Sequence, residues 1–257
     1  MTTPVPTASR QRCVVLGVLL ALQLACFPVA AAGPQRANFG AEAASAEARQ
    51  LGNWVVDSND SQGLPFVLVD KRESKVYVFD GQGQLRGAAA ALLGLARGDE
   101  SVPGIGERKI STIRPAERTT PAGRFVASVE LSLQGEPILW VDYDAAIALH
   151  PVSAGAPKER RLQRLSSSTP LERRITYGCI NVSGQFFDQV VLAAFKGSNG
   201  IVYVMPETRS AHALFGTYDV DASRVDAPAA ATASASAAPT AFTAPTRAAT
   251  AAAAPTQ

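Results

Sequence analysis

Two residues of this sequence, Cys179 and His150, have side chains that together could carry out nucleophilic catalysis. A thiolate is a nucleophile, and a histidine is the usual group that withdraws the thiol proton. Cys179 lies in RITYGCINV, between a glycine and a hydrophobic residue, and His150 ends the strand-like run ILWVDYDAAIALH. The second histidine, His212, follows the last predicted strand close to the C-terminal tail. We therefore predict that Cys179 is the nucleophile and His150 its general base; a solvent-facing histidine at a strand end is the alternative.

Residues 1–32 have the pattern of a secretory signal peptide. Arg10 and Arg12 precede the apolar run CVVLGVLLALQLACFPVA, and an A-x-A site follows it, so we expect cleavage before Gly33. The run is short for a membrane span, which needs about 20 apolar residues. No membrane span is therefore predicted after cleavage, and we expect an exported protein of the periplasm or cell envelope. Acylation of Cys26 as a lipoprotein is an alternative, which Gln23 disfavours.

Loss of the signal peptide would leave Cys179 as the single cysteine of the mature chain. The sequence has three cysteines, and Cys13 and Cys26 both lie in the predicted signal segment. An unpaired cysteine in an oxidising compartment indicates a reactive thiol or an intermolecular disulfide. A buried, inert thiol is the third possibility. We favour the reactive thiol, because a disulfide partner would disable a nucleophile.

The remaining chain divides into three segments by composition. Residues 33–62 form an N-terminal lead-in in which AEAASAEARQLGNWVV is predicted to be a short helix, with Trp54 and Val55 packing at its end. Residues 63–222 are long enough for one domain with a core of its own. Residues 223–257 are predicted to be a disordered tail, since all but three of the last 31 residues are Ala, Pro, Thr or Ser. A net charge of +2 and the lack of a nucleic-acid motif argue against a nucleic-acid partner.

The pattern of the domain favours strands over helices. Short runs rich in Val, Phe and Tyr predict half-buried strands, and these runs are PFVLVD, SKVYVFD, GRFVASVEL, PILWVDYDAAIALH and GIVYVMPE. DGQGQ at residues 80–84 predicts a hairpin turn. SGQFFDQVVLAAFKGSNG has apolar residues at helical spacing and predicts an amphipathic helix closed by Gly197. We therefore predict a mainly β domain with one or two helices.

The residues around the thiol suggest a site for a developing oxyanion. Gly178 removes a side chain where a substrate backbone would approach. The consecutive backbone N–H groups of Tyr177, Gly178 and Cys179 could converge on a carbonyl oxygen, as acyl transfer requires. A glycine that only serves a turn is the alternative interpretation.

With an upstream histidine on a strand, TYGCINV resembles the signature of the L,D-transpeptidases, the YkuD-type family. That signature is a histidine, a spacer, and then Ser/Thr-His-Gly-Cys-hydrophobic-Asn. The positions that match it are Thr176, Gly178, Cys179, Ile180 and Asn181. DKRESKVYVFDGQGQL resembles the opening hairpin of the family, and TTPAGRF resembles its Thr-Pro-x-Gly-x-Phe turn. Together the similarities cover about residues 64–206.

The resemblance implies a fold and a chemistry. The family has a mixed β-sandwich or barrel that encloses a catalytic groove, and it uses no metal or organic cofactor. Its cysteine attacks a peptidoglycan tetrapeptide stem, expels the terminal D-alanine and passes the thioester to an amine, which cross-links the cell wall and influences cell shape. By resemblance, Cys179 and His150 would be catalytic, the backbone at 177–179 would form the oxyanion hole, and Thr176 and Asn181 would shape the loop.

This sequence departs from the family pattern in three ways. Tyr177 stands where the family has a histidine before Gly-Cys, and Pro151 and Val152 follow His150 where many members have Gly-Thr. The spacer between the histidine and the motif is also longer than usual. Its residues 158–174 include six basic and two acidic residues, which predicts a basic lip over a substrate that carries carboxylates. Arg173 and Arg174 would then be the substrate-binding residues nearest the thiol; a solvated loop is the alternative.

Two other functions fit the same residues. Water could take the thioester, which would make the protein a wall peptidase or amidase. A non-catalytic peptidoglycan-binding module would keep the fold and hold an inert thiol, with Tyr177 replacing a needed group. The sequence predicts no oligomeric state.

Overall fold

The computed structural model describes residues 33, 35–153 and 155–222. The predicted signal peptide and the predicted C-terminal tail lie outside these residues. Ten strands are present in the described part of the chain: β1 (Phe66–Asp70), β2 (Lys75–Phe79), β3 (Leu85–Ala90), β4 (Leu93–Gly94), β5 (Gly123–Leu131), β6 (Pro137–Asp142), β7 (Ile147–Pro151), β8 (Arg174–Thr176), β9 (Ile180–Val182) and β10 (Gly200–Val204).

The helices are short. They are α1 (Ala46–Asp57), α2 (Arg161–Leu165), α3 (Gly184–Phe186), a π-helical segment (Phe187–Val191) that continues α3 into α4 (Leu192–Phe195), and α5 (Ala211–Phe215). Single 3₁₀ turns occupy Ile105–Glu107, Ile110–Thr112, Pro115–Glu117, Pro157–Glu159 and Pro170–Arg173. None of the helices in the described residues is long and apolar enough to cross a membrane.

Eight strands form one sheet in the order β3-β2-β1-β10-β5-β6-β7-β9. Most neighbours are antiparallel, but β1 pairs with β10, and β7 with β9, in parallel. Leu92, just beyond β3 at one edge, exchanges backbone hydrogen bonds of 2.8 and 2.9 Å with Asn181 of β9 at the other edge. The sheet therefore nearly closes on itself as a barrel. The prediction of a mainly β fold with few helices is confirmed.

The centre of the sheet is buried on both faces, each against a separate core. Alternate residues of β1 point to opposite sides: Val67 and Val69 enter the first core, with Phe187 of the π-helical segment, while Phe66 and Leu68 enter the second. The second core includes Trp54 of α1, as the sequence predicted. Strands β1 and β10 are buried at every position, which corrects the expectation of half-buried strands there. The lead-in is what covers the second face.

Local sequence accounts for the turns and helix ends. The hairpin between β2 and β3 is closed by backbone hydrogen bonds from the Asp80 N–H to the Gln84 carbonyl and from the Gly83 N–H to the Asp80 carbonyl, as DGQGQ predicted. Ser45 caps α1 by accepting a hydrogen bond from the Ala48 N–H at 3.1 Å. Ser183 caps α3 in the same way, accepting from the Phe186 N–H. The helix predicted after the cysteine is present and ends before Gly197, which has a positive φ of 80°.

Candidate active site

Two parallel strands, β7 and β9, bring the predicted nucleophile and base to one side of the sheet. In their register Leu149 pairs with Ile180, and His150 pairs with Asn181. Paired residues of neighbouring strands share a face, and residues two apart on a strand share it as well. Cys179 directly precedes β9, two residues before Asn181, and it lines the same cavity as His150. Leu149 and Ile180 point the other way, into the first core.

Cys179 and His150 line the same cavity, which has a volume of about 420 Å³. Its floor is largely apolar and includes Ile138 and Ala148. Two exposed carboxylates, Glu136 and Asp188, stand among its lining residues. Polar groups at an apolar cavity that holds a cysteine and a histidine are typical of a site that binds a small substrate and acts on it.

Burial favours the neutral, protonated form of the Cys179 thiol. Only 3% of the residue is exposed, and burial raises the pKa of Cys179 to about 11, against smaller opposing effects of the Ala148 backbone and of Arg161. The thiol donates a long hydrogen bond of 3.8 Å to the Ala146 carbonyl. Cys179 is therefore a neutral thiol that needs a base before it can attack a carbonyl.

His150 is a neutral imidazole whose tautomer is fixed by a carbonyl. Nδ1 lies 2.9 Å from the carbonyl oxygen of Pro151, which can only accept, so Nδ1 carries the proton. Burial lowers the pKa of His150 from 6.5, and the charge of Arg161 lowers it further, whereas the Pro151 carbonyl acts to raise it. Nε2 then bears the electron pair of the ring, which accepts a hydrogen bond from Asn181 at rest, so Nε2 can act as a base once that hydrogen bond is released.

Asn181 holds the basic nitrogen of His150. Its Nδ2 lies 2.9 Å from Nε2 and donates to it, and Asn181 itself is fully buried. The other amide atom, Oδ1, is buried and has no hydrogen-bond partner among the described residues. Sequence reasoning gave Asn181 only a part in shaping the loop. The contact with His150 depends on the pairing of β7 with β9, which no local sequence signal indicates.

Thr176 and Gly178 shape the loop that presents the thiol. The Thr176 hydroxyl donates to the Cys179 carbonyl at 2.7 Å and accepts from the Gly178 N–H at 3.2 Å. Gly178 has a φ of 133°, and a Cβ there would lie 2.8 Å from the Thr119 carbonyl oxygen, so only glycine fits. Of the three predicted oxyanion donors, the Gly178 N–H is thus already hydrogen-bonded within the loop. An oxyanion site formed by the amides of residues 177–179 remains a prediction.

One further residue, Thr120, fixes this loop and was not predicted as a site residue. Its hydroxyl donates to the Gly178 carbonyl at 2.8 Å and accepts from the Gly94 N–H at 2.9 Å, all within the interior. The segment TTPAGRF was singled out for its resemblance to a family turn, so the position carried a signal. Nothing in the local sequence indicated the hydrogen bond to Gly178, because the two residues are 58 positions apart in the chain.

Tyr177, which replaces the family histidine, packs against an arginine. The guanidinium carbon of Arg118 lies 3.8 Å from the centre of the Tyr177 ring, a cation–π contact. Arg118 is itself held by the carbonyl of Ile113. Tyr177 therefore ties the thiol loop to the segment of 3₁₀ turns that precedes β5.

Arg173 and Arg174 are buried away from the cavity, so their placement does not fit the predicted substrate-binding role. Arg173 donates to the carbonyls of Ser167 and Glu73 at 2.6 Å each. Arg174 donates at 2.6 Å to Glu207, whose carboxylate is also buried. Arg174 begins β8, which pairs with β4, and Arg173 ends the 3₁₀ turn before it.

The structure also separates the two histidines and folds the basic spacer. His212 lies on α5, where its Nδ1 contacts the Thr217 carbonyl at 2.5 Å, and it lines a different cavity from the one that holds Cys179. The spacer forms two 3₁₀ turns and α2, held in part by Arg164, which donates to the carbonyls of Glu159 and Glu172. Of its basic residues, Lys158 and Arg160 are exposed, whereas Arg161 is buried.

Comparisons with known proteins give structural likenesses at low sequence identity. No family model matches this sequence, and no curated protein does. The helical cell shape determining protein Pgp2 from Campylobacter jejuni is similar with a TM-score of 0.37 and 14% identity. The alignment covers 57% of this chain and 49% of that one, so this chain spans about half of the length of Pgp2.

Two solved L,D-transpeptidase structures are also similar. One comprises residues 123–326 of the enzyme from Xylanimonas cellulosilytica, with a TM-score of 0.35, 14% identity, and coverage of 55% of this chain and 60% of that one. The other is the catalytic domain of the E. faecium L,D-transpeptidase, with a TM-score of 0.33, 16% identity, and coverage of 55% and 96%. We take no functional conclusion from these likenesses.

Proposed function

We propose that this protein is an exported cysteine acyltransferase that acts on peptidoglycan stem peptides as an L,D-transpeptidase. The observation that carries the proposal is the placement of Cys179 and His150 on one face of two paired strands, at a single cavity. The resemblance of TYGCINV to the L,D-transpeptidase signature supplies the substrate class. A free thiol at a mainly apolar cavity suits acyl transfer through a thioester.

The reaction begins from a neutral pair. Nε2 of His150 takes the proton of the Cys179 thiol as sulfur forms a bond to the carbonyl carbon of the stem peptide. The carbon–nitrogen bond then breaks, and the terminal D-alanine leaves as an amine with the proton that His150 returns. A second amine gives its proton to His150 and attacks the thioester. The carbon–sulfur bond breaks, and the thiol is regenerated.

Asn181 supports both protonation states of His150. In the resting state its Nδ2 donates to Nε2. When Nε2 becomes protonated, rotation of the amide presents the vacant Oδ1, which is an acceptor. The imidazolium would then donate both of its N–H groups, to Pro151 and to Asn181. This stabilises the charge that the deprotonation of Cys179 creates.

The rim of the cavity favours an amine as the acceptor. Glu136 and Asp188 place negative charge at the entrance, and neither carboxylate lies in the reactive interior. A cationic amine of a second stem is attracted to such a rim, whereas water is indifferent to it. Transfer to an amine is therefore our proposal over hydrolysis of the thioester.

The test is mass spectrometry of the purified protein incubated with a disaccharide-tetrapeptide, beside the Cys179→Ala variant. We expect release of D-alanine and formation of a cross-linked dimer, with both products absent from the variant. Release of D-alanine without a dimer would establish the peptidase instead. If Cys179→Ala keeps full activity, the cysteine mechanism is wrong.

A second candidate function, a non-catalytic wall-binding module, is favoured by the buried and protonated state of Cys179. The two candidates differ in what substrate does to the thiol. Alkylation of a spectator thiol by iodoacetamide follows its thiolate fraction, which keeps rising up to a pKa of about 11, and it is unaffected by the tetrapeptide. The acyltransferase instead loses its alkylatable thiol on incubation with tetrapeptide, as the thioester forms. A stable mass increase on Cys179 that hydroxylamine removes would decide for the enzyme.

A further inference from the structure

Thr120 holds its side-chain hydroxyl between two backbone groups of the interior. The residue is fully buried, and its Oγ1 accepts a hydrogen bond from the Gly94 N–H at 2.9 Å. Oγ1 also lies 2.8 Å from the Gly178 carbonyl oxygen, which can only accept, so the hydroxyl proton is directed to Gly178. The Thr120 carbonyl accepts in turn from Lys71 Nζ at 3.1 Å. Both the backbone and the side chain of Thr120 are therefore held in place.

The hydrogen bonds of the thiol loop leave one amide unused, that of Cys179. The Gly178 N–H donates to the Thr176 hydroxyl, and the Gly178 carbonyl accepts from Thr120. The Cys179 carbonyl accepts from Thr176. The Cys179 N–H has no hydrogen-bond acceptor in the described part of the chain. Buried backbone N–H groups are nearly always paired in native proteins, so this amide can take an acceptor from outside the chain.

The contact between Thr120 and Gly178 determines the direction of that amide. The Gly178 carbonyl and the Cys179 N–H belong to one peptide group, which is planar and trans, so the two groups point in opposite directions. A carbonyl directed at Thr120 therefore directs the Cys179 N–H away from Thr120. Gly178 has a φ of 133°, in a region that glycine enters without steric cost, so its own backbone restrains this peptide little. The Thr120 hydroxyl supplies the restraint.

We propose that Thr120 is a positioning residue for acyl transfer, which holds the peptide between Gly178 and Cys179 so that the Cys179 N–H donates to the developing oxyanion. This rests on the proposed function. The oxyanion forms on the carbonyl that the Cys179 sulfur attacks, and Cys179 lines the cavity in which that carbonyl would lie. A backbone donor that is already oriented stabilises this charge without reorganisation during the reaction. Thr120 does not line the cavity and acts through the peptide alone.

A pair of reagents separates oxyanion stabilisation from the reactivity of the thiol. With p-nitrophenyl acetate, the Cys179 sulfur attacks the ester carbonyl, an oxyanion forms, and p-nitrophenolate leaves as the carbon–oxygen bond breaks. With iodoacetamide, sulfur displaces iodide from a saturated carbon, and no oxyanion forms. Both reactions use the same thiolate, so the ratio of the two rates cancels changes in ionisation. We expect Thr120→Val to lower the ester-to-iodoacetamide ratio by about tenfold or more, since loss of an oxyanion donor costs about 10²–10³-fold.

Two further variants control this measurement. Thr119→Val removes the hydroxyl of the adjacent threonine, which is also buried and whose side chain lies near Gly98, and should change the ratio by less than about twofold. Thr120→Ser keeps the hydroxyl and should restore most of the wild-type ratio. Equal effects of the two valine variants, or a serine variant with a ratio as low as that of Thr120→Val, would overturn the proposal.

A measurement on the wild type decides if Thr120→Val does not fold. The thiol of the ¹⁵N-labelled protein adds to acetaldehyde, so that a carbon–sulfur bond forms and the thiol proton passes to the aldehyde oxygen. The amide proton of Cys179 should then move downfield in the NMR spectrum, because its N–H donates to that oxygen. A Cys179 resonance that moves no further than after alkylation by iodoacetamide contradicts the proposal.

The substrate assay separates failure of this inference from failure of the proposed function. With a disaccharide-tetrapeptide, Thr120→Val should lower kcat for D-alanine release by about tenfold or more and leave KM within about twofold, because the hydrogen bond to the oxyanion forms only in the transition state. Release at the wild-type kcat would overturn the role of Thr120 and leave the function standing. No release by the wild type, together with an ester ratio that depends on Thr120, would overturn the function and leave the positioning role.

Discussion

Two buried polar clusters of this protein differ in how completely their hydrogen bonds are satisfied. The first, which we name the ionic cluster, consists of Lys71, Asp99, Arg174 and Glu207. Each of its side chains is at most 5% exposed and is paired with an opposite charge. The second is the cavity side of β7 and β9. There His150 and Asn181 are also buried or nearly so, yet Asn181 Oδ1 has no hydrogen-bond partner among the described residues.

The charged groups of the ionic cluster are all hydrogen-bonded, and these bonds join segments that the sheet does not pair. Lys71 Nζ donates to the Asp99 carboxylate at 2.9 Å and to the carbonyls of Gly98 and Thr120. Burial acts to raise the pKa of Asp99, but hydrogen bonds from Lys71 and Thr208 hold it well below its ordinary value. Glu207 accepts from Arg174 and from the Gly98 N–H. Nothing is left for a ligand, so this cluster is structural.

The cavity side differs because Asn181 Oδ1, next to His150, is buried without a hydrogen-bond partner among the described residues. Leaving a buried donor or acceptor unpaired costs about 1–3 kcal/mol, and such groups are concentrated where strain serves function. The contrast shows that burial of charged side chains does not by itself identify a functional site. Unpaired buried atoms next to a nucleophile are the stronger indication.

The largest expected effect is on catalysis, from His150→Gln. Loss of the general base should lower the rate of D-alanine release by about 10²–10⁴-fold, because the thiol is protonated at neutral pH. The matched control is His212→Gln, which changes the histidine on α5 at a different cavity and should leave the rate within about twofold. Release would be followed by mass spectrometry. Equal losses in the two variants would remove His150 from its assigned role.

The ionic cluster should respond in stability. Glu207→Gln leaves Arg174 and Lys71 with a single buried carboxylate, which should lower the free energy of unfolding by about 3–5 kcal/mol. Glu47→Gln, in an exposed pair with Arg72 at 3.6 Å, is the control and should cost less than about 1 kcal/mol. Urea denaturation measures both. If Glu207→Gln costs no more than the control, the cluster does not hold the fold together.

The burial of His150 on the cavity side should make the free energy of unfolding depend on pH. The pKa of His150 is lowered by burial, so the unfolded chain binds a proton below pH 6.5 that the folded chain does not. The free energy of unfolding should therefore fall as the pH drops from 6.5 to about 5, above the range in which most carboxylates titrate. His150→Gln should flatten this part of the profile, and His212→Gln serves as control. A wild-type profile that is flat or rises there would contradict the neutral, buried imidazole.

The smallest expected effect is at the rim of the cavity. Glu136→Gln removes one exposed carboxylate, which should lower the ratio of transfer to hydrolysis by about twofold to fivefold, since exposed charges contribute less than about 1 kcal/mol. The effect should vanish at high salt, which screens exposed charges. Glu47→Gln, on α1, is the control. A rim that acts by shape alone would show no dependence on salt.

Several features could be predicted from the sequence because they depend on neighbouring residues. The hairpin at Asp80–Gln84, the helix that ends before Gly197, and the helix that buries Trp54 all follow from local pattern. The local sequence also indicated a glycine at position 178, although the residue that excludes a side chain there, Thr119, is far away in the sequence. The nomination of Cys179 required only that it be the single cysteine outside the predicted signal segment.

The tertiary structure decided which of those residues act together. The pairing of β7 with β9 places Asn181 on His150, and the pairing of β4 with β8 takes Arg174 out of reach of a substrate. Three of the six basic residues in the spacer, Arg161, Arg173 and Arg174, are buried, which their sequence context did not indicate. Sequence determines local conformation and residue chemistry, since these depend on near neighbours. Burial, hydrogen-bond satisfaction and charge environment depend on segments that meet only when the sheet closes.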